Sequence, residues 1–238
     1  PFWDSAYHYI IDSMRKSRGL SRNNLTRTGK TRGKPHKGEN TLDQKKLGGQ
    51  TVRFTSPPVI LGFGCAVGKK EGQGPLAKYF DHIGQDDTFG ETSWEKAESA
   101  LQKCAVNKAI KKAGITPGDI DIMLAGDLLN QCIGSTYGAR QLGIPYLGLY
   151  GACSTMAESL LLASMCVGGG FSDHVIAMTS SHFASSERQY RFPLGYGGQR
   201  TPTAQWTVTG SGAALVCAAG VGPRIHSCTV GTVTDLGV

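Results

Sequence analysis

Apolar residues are scarce before Gln50 and recur in short, punctuated runs after it. "TVRF" (51–54) and "PPVILGFGCAVG" (57–68) alternate or cluster as strands do, with Pro and Gly between them. "KKEGQGPLAKYFDHIGQDDTFG" (69–90) has no period and reads as a long polar loop. The pattern then changes to a helical one. Trp94, Ala97, Leu101, Cys104, Ala105 and Ile110 share one stripe. Thr92 is the expected N-cap, with Glu95 completing a capping box, and Gly114 is the natural stop. "DIDIMLAGD" (119–127) is a buried strand, "GSTYGARQLG" (134–143) a short helix and "IPYLGLYG" (144–151) another strand. A helix is predicted over 154–167 and a strand over 174–182. "GSGAALVCAAG" and "RIHSCTVGTVTDLG" close the pattern as a strand pair, expected to be antiparallel. Strands alternating with helices predict an α/β fold on a mixed, mostly parallel sheet.

The helix over 154–167 differs from its neighbours. Met156, Ala157, Leu160, Leu161, Leu162, Ala163, Met165 and Val167 leave it apolar on nearly every side. Such a helix is expected to be buried all round, between two layers of sheet. Standing without a second layer, it would expose an apolar face.

Charge divides the chain. The formal net charge is +7. Residues 15–46 hold eleven Lys and Arg against Glu39 and Asp43, a net +9, so the remainder is near −2. Residues 15–48 cannot bury enough apolar surface to offset their ordering entropy and are expected to be disordered, with a short helix over 1–12. A basic arm can attract nucleic acid or anionic lipid. This one lacks aromatic interleaving, so no nucleic-acid partner is expected. The division predicted is 1–47 as an extension and 48–238 as the folded domain. No apolar run reaches the roughly 20 residues of a membrane-spanning helix, and no cleavable signal is evident. The seven cysteines form no CxxC pair and read as reduced thiols.

One of them stands at a strand–helix junction. In "LYGACSTMAES" Cys153 immediately precedes the predicted helix. Unpaired N–H groups at a helix start favour a thiolate, and they equally bind a carboxylate. A small residue filling a tight turn would look the same. Position alone leaves nucleophile, anion-binding spot and turn filler open. Asp127 ends a strand, where α/β ligand sites form, although a carboxylate there can also simply cap a neighbouring element. His182 ends the next strand but one. It could serve Cys153 as a base or hydrogen-bond within its loop. Glu187, Arg188 and Arg191 suit internal ion pairs, or one arginine could meet a carboxylate bidentately.

The strand–"GACST"–apolar helix unit resembles the nucleophile region of the thiolase and ketoacyl synthase superfamily. More specific are "AGDLLNQ" (125–131), "TSSHFASSERQYRFPLGYGGQ" (179–199) and "TVTGSGAALV" (207–216), with "GPLAKYFD" and "SWEKAE". Together they resemble the stage V sporulation protein AD family over residues 48–238. The resemblance implies a thiolase-like fold and a non-catalytic part in taking dipicolinic acid into the developing spore. It implies membrane proteins of the same uptake complex as partners, a possible homodimer, and a place in the forespore or spore, peripheral to the inner membrane. It places Cys153 and Asp127 at the dipicolinate pocket, His182 being taken with them as a ligand-binding residue, and it allows calcium to enter with the ligand. No cofactor and no protein-bound metal are expected. The alternative is a thiolase-type acyltransferase with Cys153 as nucleophile. The superfamily builds its subunit from two similar halves, and this sequence matches the first. The second half, with the thiolases' catalytic histidine and second cysteine, is expected to be absent, as in a truncated reading frame or one half of a split protein. That weakens the enzymatic alternative.

Overall fold

The structure is a computed structural model that describes residues 45–128, 131–184, 203, 207–235 and 237. The basic extension before Lys45, the helix expected over 1–12, and Glu187, Arg188 and Arg191 lie outside the described residues. The chain divides into two units, one running from Ser56 to Ile225.

In the smaller unit, strands β1 (Lys46–Leu47), β2 (Thr51–Arg53) and β9 (Ser227–Thr229) form an antiparallel sheet in the order β1-β2-β9. Thr51 faces Thr229, and their hydroxyls lie 2.9 Å apart.

The larger unit is built on six strands in the order β4-β3-β8-β7-β5-β6. These are β3 (Val59–Val67), β4 (His82–Ile83), β5 (Ile122–Asp127), β6 (Tyr146–Gly148), β7 (His174–Ser181) and β8 (Gly210–Cys217). β5 runs parallel to β6 and β7, and β3 to β4, whereas β8 is antiparallel to both β3 and β7. The α/β class and the mixed, mostly parallel sheet are as the sequence predicts. The closing strand pair is not. β8 enters the middle of the large sheet, and β9 pairs with β2 in the other unit. Neither strand's own sequence names its partner, because pairing is a long-range property.

Among the described residues three helices accompany the sheet: α1 (Trp94–Ala113), α2 (Ile133–Leu142) and α3 (Thr155–Gly168). Strand alternation separates two cores. Met123, Ile176, Met178 and Leu215 join Val106, Ala109 and Ile110 of α1 and Ala139 of α2. Leu124, Val175, Ala177 and Val216 point the other way and meet Ala163 and Val167 of α3. Burying each of the larger of these side chains contributes about 1.5–3 kcal/mol. β3 approaches α1 closely: a side chain at Gly64 would run into the Ala105 carbonyl, and one at Gly62 into that of Ala109.

Three local expectations are corrected. The N-cap of α1 is Ser93, not Thr92. Ser93 Oγ accepts from the Lys96 N–H at 3.3 Å, while Thr92 Oγ1 instead accepts from Lys96 Nζ. The 69–90 segment is not wholly loop. It contains two 3-10 turns and β4, which is too short to show a period. α3 is not buried all round. Thr155, Ser159, Ala163, Ser164 and Val167 are buried, whereas Met156, Leu161 and Met165 are half-buried. Gly114, at φ 73°, closes α1 in the left-handed conformation, as its position predicts.

Candidate functional site

Three parallel strands deliver the candidate residues to one edge of the sheet. Asp127 is the last residue of β5 and pairs in register with Ser180 of β7, so His182 follows immediately at the same edge. β6 ends beside β5, two strands from β7, and its chain continues through Leu149, whose N–H donates to Ala125 O at 2.9 Å, towards Cys153. The carboxyl edge of β7, β5 and β6 thus gathers the three residues the sequence singles out, because parallel strands must end on the same side.

Cys153 occupies a 3-10 turn, Ala152–Ser154, directly ahead of α3. It is exposed. Ala152 has φ 45°, a left-handed conformation unusual for a residue with a side chain. The turn is locked from within. Gly151 O accepts from both the N–H (2.9 Å) and the hydroxyl (2.7 Å) of Ser154, and Ala152 O accepts from the Thr155 hydroxyl at 2.9 Å. These hydroxyls therefore bond backwards to carbonyls. No side chain caps the start of α3, and within the preceding turn the Thr155 N–H donates to Ala152 O. Glu158 lies in that first turn, with Oε2 against Gly151.

Asp127 is fully buried and turned to the start of α2. Its carboxylate accepts from the Cys132 N–H (3.3 Å), the Ser135 N–H (3.1 Å) and the Ser135 hydroxyl (2.9 Å). α2 has no cap of its own, since Cys132 at its N-cap position offers none. Asp127 supplies it from the neighbouring strand, where a negative charge also meets the positive end of the helix.

His182 is buried as well. Its Nδ1 accepts from the Ala184 N–H at 3.2 Å, so Nε2 carries the hydrogen and donates to Asp87 O at 2.8 Å. Trp94 and Phe183 flank the ring at centroid distances of 5.2 and 5.0 Å. Burial lowers the pKa of His182, against the opposing pull of Asp87, Glu95 and Glu71. Both ring nitrogens are thus engaged within the protein, and the Cys153 thiol makes no hydrogen bond to a described residue.

Sequence reasoning misses the polar network that supports this edge. Ser180 donates to Glu98 Oε1 at 2.8 Å, and Ser135 to Asp127. Between the two serines, the Gln102 carboxamide donates to Ser180 at 2.6 Å and to Ser135 at 3.2 Å. All five side chains are at most 4% exposed. Two polar residues at i and i+4 on the apolar stripe of α1, Glu98 and Gln102, are the signal that could have found it. Buried polar groups need partners, so a network was implied. Among the described residues no cluster of three His, Cys, Asp or Glu side chains could hold a metal ion. No described helix is long and apolar enough to cross a membrane.

Residues 48–238 match the family described as Stage V sporulation protein AD (SpoVAD). The chain is 47% identical over 194 residues to the Stage V sporulation protein AD of Bacillus subtilis (strain 168), covering 82% of this chain. The chain belongs to the Stage V sporulation protein AD family. It spans 57% of the length of that relative. Solved structures similar to it include the priming β-ketosynthase of the R1128 polyketide pathway (19% identical, 72% of this chain and 53% of that one, TM-score 0.47). Another is AbyA1, a tetronic acid condensing enzyme (20% identical, 70% of this chain and 56% of that one, TM-score 0.48). Family membership makes this a sporulation protein.

Proposed function

We propose that this chain carries the dipicolinic acid-binding site of a non-catalytic component of the machinery that takes dipicolinate into the developing spore. The observation that carries the reading is Cys153, exposed beside the uncapped start of the fourteen-residue α3 at the carboxyl edge of β5, β6 and β7. Dipicolinate is a flat pyridine dicarboxylate. The positive end of a helix suits one of its carboxylates. In this reading Cys153 lines the site, and Asp127 and His182 shape it. Asp127 does so by holding α2, and His182 by holding the segment that follows β7. Membership of the family supports the sporulation context.

The partners proposed are membrane proteins of the same uptake complex, with the protein peripheral to the spore inner membrane, and a second copy of itself. The homodimer draws support from β6, an outer strand of its sheet among the described residues. Leu147 on that strand is 57% exposed, with Tyr150 just past it and Ile133 and Tyr137 of α2 exposed as well. An apolar open strand edge is the kind of surface that pairs.

A thiolase-type acyltransferase is the second reading, favoured by the exposure of Cys153 at a helix start. The engagement of both His182 nitrogens counts against it, because a nucleophile then lacks its base within the described site. Calorimetric titration of the full-length protein with dipicolinic acid, with and without calcium, tests the first reading. Saturable heat that Cys153→Ala weakens is expected. A well-folded protein that gives no heat overturns it, and acetylation of Cys153 by acetyl-CoA would then support the second.

A further inference from the structure

The carbonyl of Leu149 stands where three elements meet. On one side is Gly126 of β5, where any side chain would strike that oxygen and come within 2.9 Å of Thr155 Cγ2. On the other is Cys132, whose thiol donates to it at 3.2 Å. The chain then runs through Tyr150, Gly151 and the left-handed Ala152 to Cys153.

Cys132 is itself firmly set. Its backbone is left-handed (φ 66°), as is that of Gln131 (φ 50°), and two such non-glycine residues in succession persist only when their surroundings hold them. Asp127 holds the Cys132 N–H. The Cys132 carbonyl accepts from the N–H and the hydroxyl of Thr136 at 2.8 and 2.6 Å. The Tyr146 hydroxyl and the Cys132 sulfur would lie 2.9 and 3.2 Å from a side chain added at Gly148, so both close over that glycine. Burial raises the pKa of the Cys132 thiol, which stays protonated and able to donate through the neutral range.

We propose that Cys132 is a positioning residue for Cys153: its thiol fixes the Leu149 carbonyl, and so sets where the 150–154 turn presents Cys153 at the start of α3. The chain of support runs from Gln102 and Ser135 through Asp127 to Cys132 and on to Leu149. Its bearing on ligand binding rests on the reading that dipicolinate occupies the Cys153 site, whereas its bearing on the turn does not.

Hydrogen exchange read by mass spectrometry tests this in the full-length protein, alongside titration with dipicolinic acid. Cys132→Ala removes the donor, and Cys132→Ser replaces it with a hydroxyl. Loss of one neutral hydrogen bond predicts about fivefold faster exchange of the Leu149, Ser154 and Thr155 amides in Cys132→Ala. Amides of β7 and α1 should keep their rates, and Cys132→Ser should restore the slow exchange. Dipicolinate affinity should fall several-fold in the alanine variant and recover in the serine variant. Should Cys132→Ala not fold, Cys132→Gly makes the same test, since glycine is at home at φ 66°. Local loosening with serine rescue, but no dipicolinate heat in the wild type, upholds the positioning role and removes the ligand reading. Unchanged exchange at 149–155, or a rise spread evenly over the sheet, overturns the proposal.

Discussion

Replacing Asp127 by alanine separates a residue that holds the site together from one that faces the ligand. The carboxylate is fully buried and accepts three hydrogen bonds from the start of α2. In Asp127→Ala the Ser135 N–H and hydroxyl lose their acceptor at a position where Ser135 is itself 0% exposed, so water does not readily replace it. Each buried, unsatisfied donor costs about 1–3 kcal/mol. The Cys132 N–H belongs to a half-buried residue and can be partly rehydrated. Loss of the charge at a helix N-terminus adds about 0.3–1 kcal/mol. Relief of the carboxylate's own desolvation offsets part of this. The expected net is a loss of about 3 kcal/mol, a large share of the roughly 5–15 kcal/mol that holds a domain folded. Urea denaturation followed by circular dichroism reads it directly. With a slope of about 2 kcal/mol/M, the midpoint should fall by about 1.5 M. Asp127→Asn should fall between wild type and alanine, because a carboxamide has one oxygen to serve two sets of donors. Titration with dipicolinic acid on the same samples completes the test. A loss below about 1 kcal/mol together with abolished dipicolinate binding would refute the reasoning, since the carboxylate would then be spending its acceptors on the ligand rather than on α2.

The stability of the protein should depend on pH through His182. Its folded pKa is depressed, so its contribution is fully present above the unfolded value near 6.5 and is lost as pH falls through the lower folded value. Urea midpoints measured from pH 7.5 to 5 should therefore fall more steeply for wild type than for His182→Gln, and parallel slopes would count against it. Gly126→Ala should cost about 1–3 kcal/mol by overpacking against the Leu149 carbonyl. Gly212→Ala on β8, with nothing within 4 Å of the added carbon, should stay within about 0.5 kcal/mol. Equal midpoints for the two glycine variants would remove the close-approach argument. Cys153→Ala should leave stability within about 0.5 kcal/mol, as its exposure dictates, while weakening dipicolinate binding. A loss of more than 1 kcal/mol would mean that the thiol packs rather than presents itself.

Much of this protein is written locally in its residues. The apolar stripe from Trp94 to Ile110 specifies α1, and Gly114 stops it, because a 3.6-residue period and a left-handed cap depend only on near neighbours. The runs at 122–127 and 174–181 specify β5 and β7 in the same way, and their parallel order follows from the helices between them. The placing of Cys153 ahead of a helix was likewise legible, as was the ending of a strand at Asp127. What these side chains face was not. Asp127 and His182 carry groups that suit a ligand, yet both turn inward, Asp127 to the uncapped start of α2 and His182 to Asp87 and Ala184. Cys132 looked like any buried thiol until the fold brought Leu149 to it. β8 and β9 read as a pair, and tertiary structure sent them to different sheets. The difference has one physical cause. Period, capping and turn chemistry are set by residues a few positions apart. Strand partners and the acceptors of a buried carboxylate or imidazole are set by groups brought together only when distant segments pack, as Ser180 and Gln102 are across 78 residues.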